Sequence, residues 1–179
     1  MLLKAKSYHL KATLGFTLIE LLVVIAIIGL LSSIVLASLG TARSKAADAA
    51  IQADLVGVRS AAEIFYADNG SSYGLTTSGT QYDALCLGYA NPAAMLANTS
   101  IKRSMQEAYT LNGSVVNGLI CAVDPSSYAI AIALKTQNDG DSDPTTMDYF
   151  CIDGTGNAKI TNESFADSVV ANPSPHRCL

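Results

Sequence analysis

Residues 16–39, FTLIELLVVIAIIGLLSSIVLASL, carry a single charge, Glu20, in twenty-four positions. No other stretch constrains the chain as much. As an α-helix it reaches roughly 36 Å at about 1.5 Å per residue, enough to cross a hydrocarbon layer of about 30 Å. Before it lies a short basic segment with Lys4, Lys6 and Lys11 and no acid. That asymmetry keeps the N-terminus on the cytoplasmic side. An ordinary secretory signal has a shorter apolar core and a small-residue cleavage site after it. Here the plausible processing point, Gly15, comes before the apolar run. Cleavage there removes the lysines and leaves the apolar helix on the product.

Glu20 is costly inside such a helix, and an intramembrane acid is a functional hypothesis in itself. One reading leaves it hydrated at the headgroups. The other gives it a cation, the α-amino group that cleavage creates on Phe16. A helix does not readily fold its own terminus back by one turn, so this reading takes the amine from a neighbouring copy. A buried pair of that kind sets register more than it stabilises. Gly29, Ser33 and Ala37 recur every four residues, a small-residue stripe that lets helices approach closely in lipid.

These residues resemble the class III signal of type IV pilins and type II secretion pseudopilins. The match runs in order through the basic leader, Gly15, Phe16, Thr17, Leu18, Glu20 and the apolar run. It covers about residues 4–40. The resemblance implies that a prepilin peptidase cuts after Gly15 and methylates the new N-terminal Phe16. It gives Glu20 the family's assembly role. The proline that many members carry late in this helix is absent, since the first proline here is Pro92. That leaves open whether the helix unwinds on assembly.

Beyond the membrane segment, Ala47, Ile51, Leu55, Val58, Ala62 and Phe65 recur at spacings of three and four. They form one apolar stripe on a continuing helix. Lys45, Asp48, Gln52, Arg59 and Glu63 read as lying largely off it. Asn69-Gly70 supplies a stop, because glycine tolerates the left-handed conformation at a helix end. The spacing predicts one helix of about fifty residues, apolar all round at first and one-faced later. The expected organisation is a cleaved leader at 1–15, a transmembrane and assembly helix at 16–40, and an amphipathic helix at 41–69. A loop region with short helices, 92–98 and 99–109, fills 70–117. An antiparallel sheet and C-terminal loop fill 118–179.

Strands are expected at 118–123, 128–135, 147–153 and 157–160, with turns at Asp124-Pro125-Ser126-Ser127 and Gly154-Thr155-Gly156. In the second strand large residues alternate with alanines. The expected fold class is α+β: a long N-terminal helix, half of it transmembrane, packed on an antiparallel sheet of three to four strands. The pilin resemblance implies the same arrangement.

The loop 137–148 brings Asp139, Asp141, Asp143 and Asp148 together. Oxygen-rich loops of this type hold Ca²⁺, and major pseudopilins carry such a site. The loop is no EF-hand, since Phe150 stands where the twelfth-position Glu belongs. The competing reading is a solvated turn, and Ca²⁺ calorimetry decides between them. Four cysteines, an even number, favour disulfides in an exported domain. Three pairings are open. The favoured one joins Cys151 to Cys178, tying the tail to the third strand, and Cys86 to Cys121.

The function classes narrow by elimination. Removing residues 1–15 leaves 8 basic and 15 acidic residues, a net charge of −7, where the whole chain has −4. Such a product lacks the basic face that phosphate contacts need, so no direct nucleic-acid binding is expected. After processing the one histidine is His176, and no Ser-His-Asp set, phosphate loop, HExxH or GxGxxG stands out. The expected role is that of a structural subunit rather than an enzyme. Its partners would be copies of itself, minor pilins, prepilin peptidase, an inner-membrane assembly platform and, before assembly, the lipid bilayer. The filament would be a pilus or a pseudopilus of secretion or DNA uptake, at the cell surface or in the periplasm. A membrane-anchored binding module is the remaining alternative.

Overall fold

The structure is a computed structural model that describes residues 15–74, 81–88, 93–136, 148–161, 169–170 and 177–178. The first helix, α1, spans Leu18–Asp68, 51 residues. Neither Gly29, Gly40 nor Gly57 interrupts it, and it contains no proline. It ends where the sequence indicates. Gly70 takes φ 67°, and Ser71 N–H reaches back to the Tyr66 carbonyl at 2.9 Å, a bond of the Schellman type.

The chain divides into two units at Gly40: residues up to Gly40, and Thr41–Leu179. In the first unit every described side chain of α1 is exposed. Sixteen large apolar residues from Phe16 to Leu39 are among them. Burying that many is worth on the order of 20–40 kcal/mol, several times the stability of a domain. The segment therefore needs lipid or protein around it. This helix is long and apolar enough to cross a membrane.

In the second unit a five-stranded antiparallel sheet takes the order β1-β2-β3-β4-β5. The strands are β1 Gln81–Tyr82, β2 Leu119–Val123, β3 Tyr128–Ala133, β4 Tyr149–Asp153 and β5 Ala158–Thr161. The four expected strands form, and α+β is the fold class. β1 is an addition, because it comes from a stretch expected to be loop. It is two residues long, too short to carry an alternation that could be read. Helix α2, Asp83–Leu87, follows it directly. The helix expected at 92–98 is one 3-10 turn, Met95–Ala97. Helix α3, Thr99–Leu111, runs two residues further than expected, with the Asn98 side chain capping the N–H groups of Ser100 and Ile101.

The α1 stripe and one sheet face make the main core. Ile51, Leu55, Val58, Ala62 and Phe65 pack in one cluster with Leu119, Cys121, Val123, Tyr128, Ile130, Ile132, Phe150 and Ile152. Cross-strand register keeps these on one face: Leu119 opposes Ile132, and Ile132 opposes Phe150. The expected alternation in β3 is present, but both faces are buried. On the second face Ile120, Ala122, Ala129, Ala131, Ala133, Tyr149 and Cys151 form another cluster with Cys178. A two-stranded ribbon of β6, Val169–Val170, and β7, Arg177–Cys178, lies near β2, β3 and β4. The alanines are small enough to let that ribbon close.

Gly74 is fixed by space. Its φ is +106°, and a Cβ there would lie 2.2 Å from the Ala93 carbonyl oxygen. This close approach positions the Tyr73 carbonyl to accept the Met95 N–H at 3.0 Å.

Candidate functional site

The start of α1 is built from Thr17 and Glu20. A Glu20 carboxylate oxygen accepts the Thr17 N–H at 2.8 Å and the Thr17 hydroxyl at 2.6 Å. The Thr17 oxygen in turn accepts the Glu20 N–H at 3.3 Å. This is a reciprocal capping box, which satisfies two of the amide donors that a helix start leaves unpaired. Within one chain the group of the helix start that reaches Glu20 is the Thr17 N–H, next to Phe16. The signal was in the sequence, since Thr-x-x-Glu before an apolar run is a helix-start pattern.

Phe16 is 84% exposed, and Gly15 precedes the helix in open chain. Gly29 and Ser33 are exposed, and nothing lies where a Gly29 Cβ would be. Ala37 belongs to α1, but its side chain lies outside the described set. Ser33 and Ser38 donate their hydroxyls to the carbonyls of Leu30 and Val35, at 2.8 and 3.0 Å. Each hydroxyl is thus satisfied within its own helix, which removes most of its cost in lipid.

Of the four acidic-loop residues, Asp139, Asp141 and Asp143 lie outside the described residues. Asp148 is buried, and its carbonyl accepts the Leu134 N–H at 2.8 Å. Among the described residues no group of three or more His, Cys, Asp or Glu could hold a metal. The base of the loop is fastened by Asp48. Its carboxylate accepts the N–H groups of Lys135 and Thr136, at 2.6 and 2.9 Å, and the Thr136 hydroxyl. Asp48 is 3% exposed, so its reading as an off-stripe residue is corrected. Asp48, Ile51 and Leu55 follow the 3-4 spacing of a buried face, and the charge alone hid that.

The other buried or half-buried acids act the same way. Asp83 accepts the N–H groups of Asn117 and Leu119 at 2.5 and 2.9 Å, tying α2 to β2. Asp124 accepts from the N–H and hydroxyl of both Ser126 and Ser127, which closes the β2–β3 turn. Asp153 has no exposed surface. Its carboxylate accepts five hydrogen bonds, from Thr155, Asn157 and the Cys178 N–H. Burial pushes its pKa up, but the bonds from Asn157, Cys178 and Thr155 outweigh burial and hold it below the ordinary Asp value. These carboxylates fix backbone, and none is presented to a substrate.

The structure joins Cys86 to Cys121 and Cys151 to Cys178, with Cα separations of 5.9 and 5.8 Å. The first bond holds α2 to β2. The second holds β7 to β4. Three asparagines at element ends have structural duties. Asn98 caps α3, Asn112 is buried, and Asn69 bonds the Phe65 carbonyl.

A groove of about 500 Å³ lies between α1 and α3, lined by Ala50, Asp54, Gln106, Glu107, Thr110 and Leu111. Burial, then the Glu107 charge, push the Asp54 carboxyl above its ordinary value. Glu107 pairs with Arg103 at 2.9 Å, the one ion pair among the described residues.

An exposed apolar helix with a capped start, and an α+β domain of a helix against an antiparallel sheet, are consistent with a pilin-like fold. Residues 10–36 match the family model described as "Prokaryotic N-terminal methylation motif". The chain thus carries the class III signal of type IV pilin and pseudopilin precursors. No curated protein and no solved structure gave a significant match.

Proposed function

We propose that this protein is a structural subunit of a type IV pilus or pseudopilus. A prepilin peptidase removes residues 1–15 and methylates the amine of Phe16. The product waits in the inner membrane and then polymerises through its N-terminal helix. The observation that carries this reading is the pairing of the methylation motif with sixteen exposed large apolar side chains from Phe16 to Leu39. Lipid covers them before assembly and other copies cover them afterwards. Burial supplies the driving force. Glu20, with the Phe16 amine of a neighbour, sets the register, and Gly29, Ser33 and Ala37 allow the close approach.

The capping box adds a local role for Glu20. It holds the first turn in helical form while the terminus beside it is cut. Asp48, Asp83, Asp124 and Asp153 of the second unit are engaged in backbone hydrogen bonds, which favours a display domain over a catalytic one. The test is the intact mass of protein extracted from membranes. The expected result is loss of residues 1–15 and gain of one methyl group, about 14 Da. A full-length mass would refute the reading.

The two disulfides and the C-terminal ribbon suit a subunit exposed outside the cell, and they favour a surface pilus. The acidic 137–148 segment favours the alternative, a pseudopilin of type II secretion or DNA uptake. Electron microscopy of surface filaments in cells with and without the protein separates the two.

A further inference from the structure

We propose that the α1–α3 groove is a docking site for the Arg43 side chain of a second copy, a neighbour distinct from the one whose Phe16 amine meets Glu20, and that this ion pair fixes the axial stagger of that second contact. The inference rests on the polymerisation proposed above and adds a specific contact to it.

The groove presents two carboxylates on an otherwise neutral wall, Asp54 from α1 and Glu107 from α3. Glu107 already has a cation, Arg103, on its outer side. Asp54 has no ion-pair partner among the described residues. Arg43 is exposed and likewise has no ion-pair partner among them. Opposite charges therefore stand unpaired on one helix.

Their spacing excludes a bond within one chain and suits a bond between two. Arg43 and Asp54 are eleven residues apart. At about 100° per residue that is three turns plus about 20°, so both lie on one line along α1. The separation along the axis is about 16 Å, beyond the reach of one arginine. All copies enter the bilayer with the same orientation, so their helices run parallel. Two parallel copies facing each other, one displaced along the axis by about 16 Å or somewhat less, bring Arg43 of one to Asp54 of the other. Displacement by a further turn removes the contact, so the pair selects one stagger. Lys45 does not substitute for Arg43. It is nine residues from Asp54, about 180° round the helix. Ala50, beside Asp54 in the groove, leaves room for a guanidinium to enter. Partial burial there limits screening by salt.

The test uses the full-length chain, co-expressed with a prepilin peptidase and assembly machinery, with sheared filaments weighed against total subunit. Arg43→Glu and Asp54→Arg alone are each expected to lower filament yield about tenfold or more, because like charges meet at the contact. The double variant, which restores the pair in reverse, is expected to recover most of the yield. Because Asp54→Arg can disturb the domain, a second measurement uses Arg43→Cys together with Asp54→Cys. Bismaleimide treatment of those filaments is expected to give subunit ladders that neither single cysteine gives. Normal yield from Arg43→Glu, or intact filaments with no ladder, overturns the contact while leaving polymerisation standing. Wild-type protein that is processed but never forms filaments overturns both.

Discussion

Asp153→Asn isolates what one buried carboxylate does for the display domain. The substitution keeps size and shape. The amide oxygen can take the place of Oδ1, which accepts the Thr155 N–H at 2.9 Å, the Thr155 hydroxyl at 2.7 Å and the Asn157 N–H at 3.0 Å. The amide nitrogen then replaces Oδ2, where Asn157 Nδ2 and the Cys178 N–H donate at 2.8 and 2.9 Å. Donors face donors there, and two charge-assisted bonds are lost, at roughly 1.5–3 kcal/mol each. A neutral amide is cheaper to bury than a carboxylate, which offsets part of that. The expected loss is about 2–4 kcal/mol at neutral pH, measured by guanidinium unfolding of oxidised protein in detergent. The pH dependence has a definite sign. The folded pKa lies below the unfolded one, so the stabilisation is present above about pH 4 and is lost as pH falls through the folded value. The gap between wild type and variant therefore holds from neutral pH to about pH 5 and narrows below it. A gap under about 0.5 kcal/mol at pH 7, or one unchanged down to pH 2, would show that the five bonds do not act as argued.

Four further outcomes follow from the same contacts. Leu55→Ala, at a fully buried position between helix and sheet, is expected to cost about 3 kcal/mol, and a cost below about 1 would mean the helix does not seal this core. Replacing both Cys151 and Cys178 by Ser opens a 27-residue separation and should lower stability by about 3.5 kcal/mol on chain-entropy grounds, read from the same unfolding curves. Glu20→Ala is expected to leave membrane insertion intact and to cripple filament formation, seen by membrane fractionation beside electron microscopy; normal filaments would remove Glu20 from the register mechanism. On the alkaline side, burial and then the Asp83 charge push the Tyr149 hydroxyl up to about 12. Its stabilising effect is then full below the ordinary tyrosine value near 10 and disappears as pH rises through about 12, which ultraviolet titration of tyrosinate against Tyr149→Phe measures.

How much of this was legible in the sequence depends on what kind of signal each residue gave. Periodicity was reliable where it was long. The stripe Ile51, Leu55, Val58, Ala62 and Phe65 repeats over four turns, and it is the buried face. The β3 alternation gave the register of one face, but it did not announce the second, because alanine is equally at home exposed or covered. The covering ribbon comes from two-residue strands whose pairing is fixed by the Cys151–Cys178 bond and by Asp153, not by local propensity. The acids were the hardest to read. Asp48 read as a charge off the stripe, and Asp83 and Asp153 gave no signal; each accepts backbone N–H groups from segments 25 to 88 residues away. A carboxylate that closes long-range turns leaves no trace in a local pattern, since its partners are amides that every residue has.

That use of charge bears on function. A processed chain with net charge −7 could have been presenting acids to a cation or a cationic partner. In the described part of the domain most buried acids are turned inward onto hydrogen-bond donors, whereas Asp54, beside Glu107, and Asp68 line grooves without an ion-pair partner among the described residues. Partial burial, then the Glu107 charge, push the Asp54 carboxyl above its ordinary value and so disfavour its ionised form, a cost that a nearby cation relieves. Such a cost is recovered only if a cation arrives from outside. In the filament proposed above a repeated source is the next copy, and on the same helical line the cation it offers is Arg43.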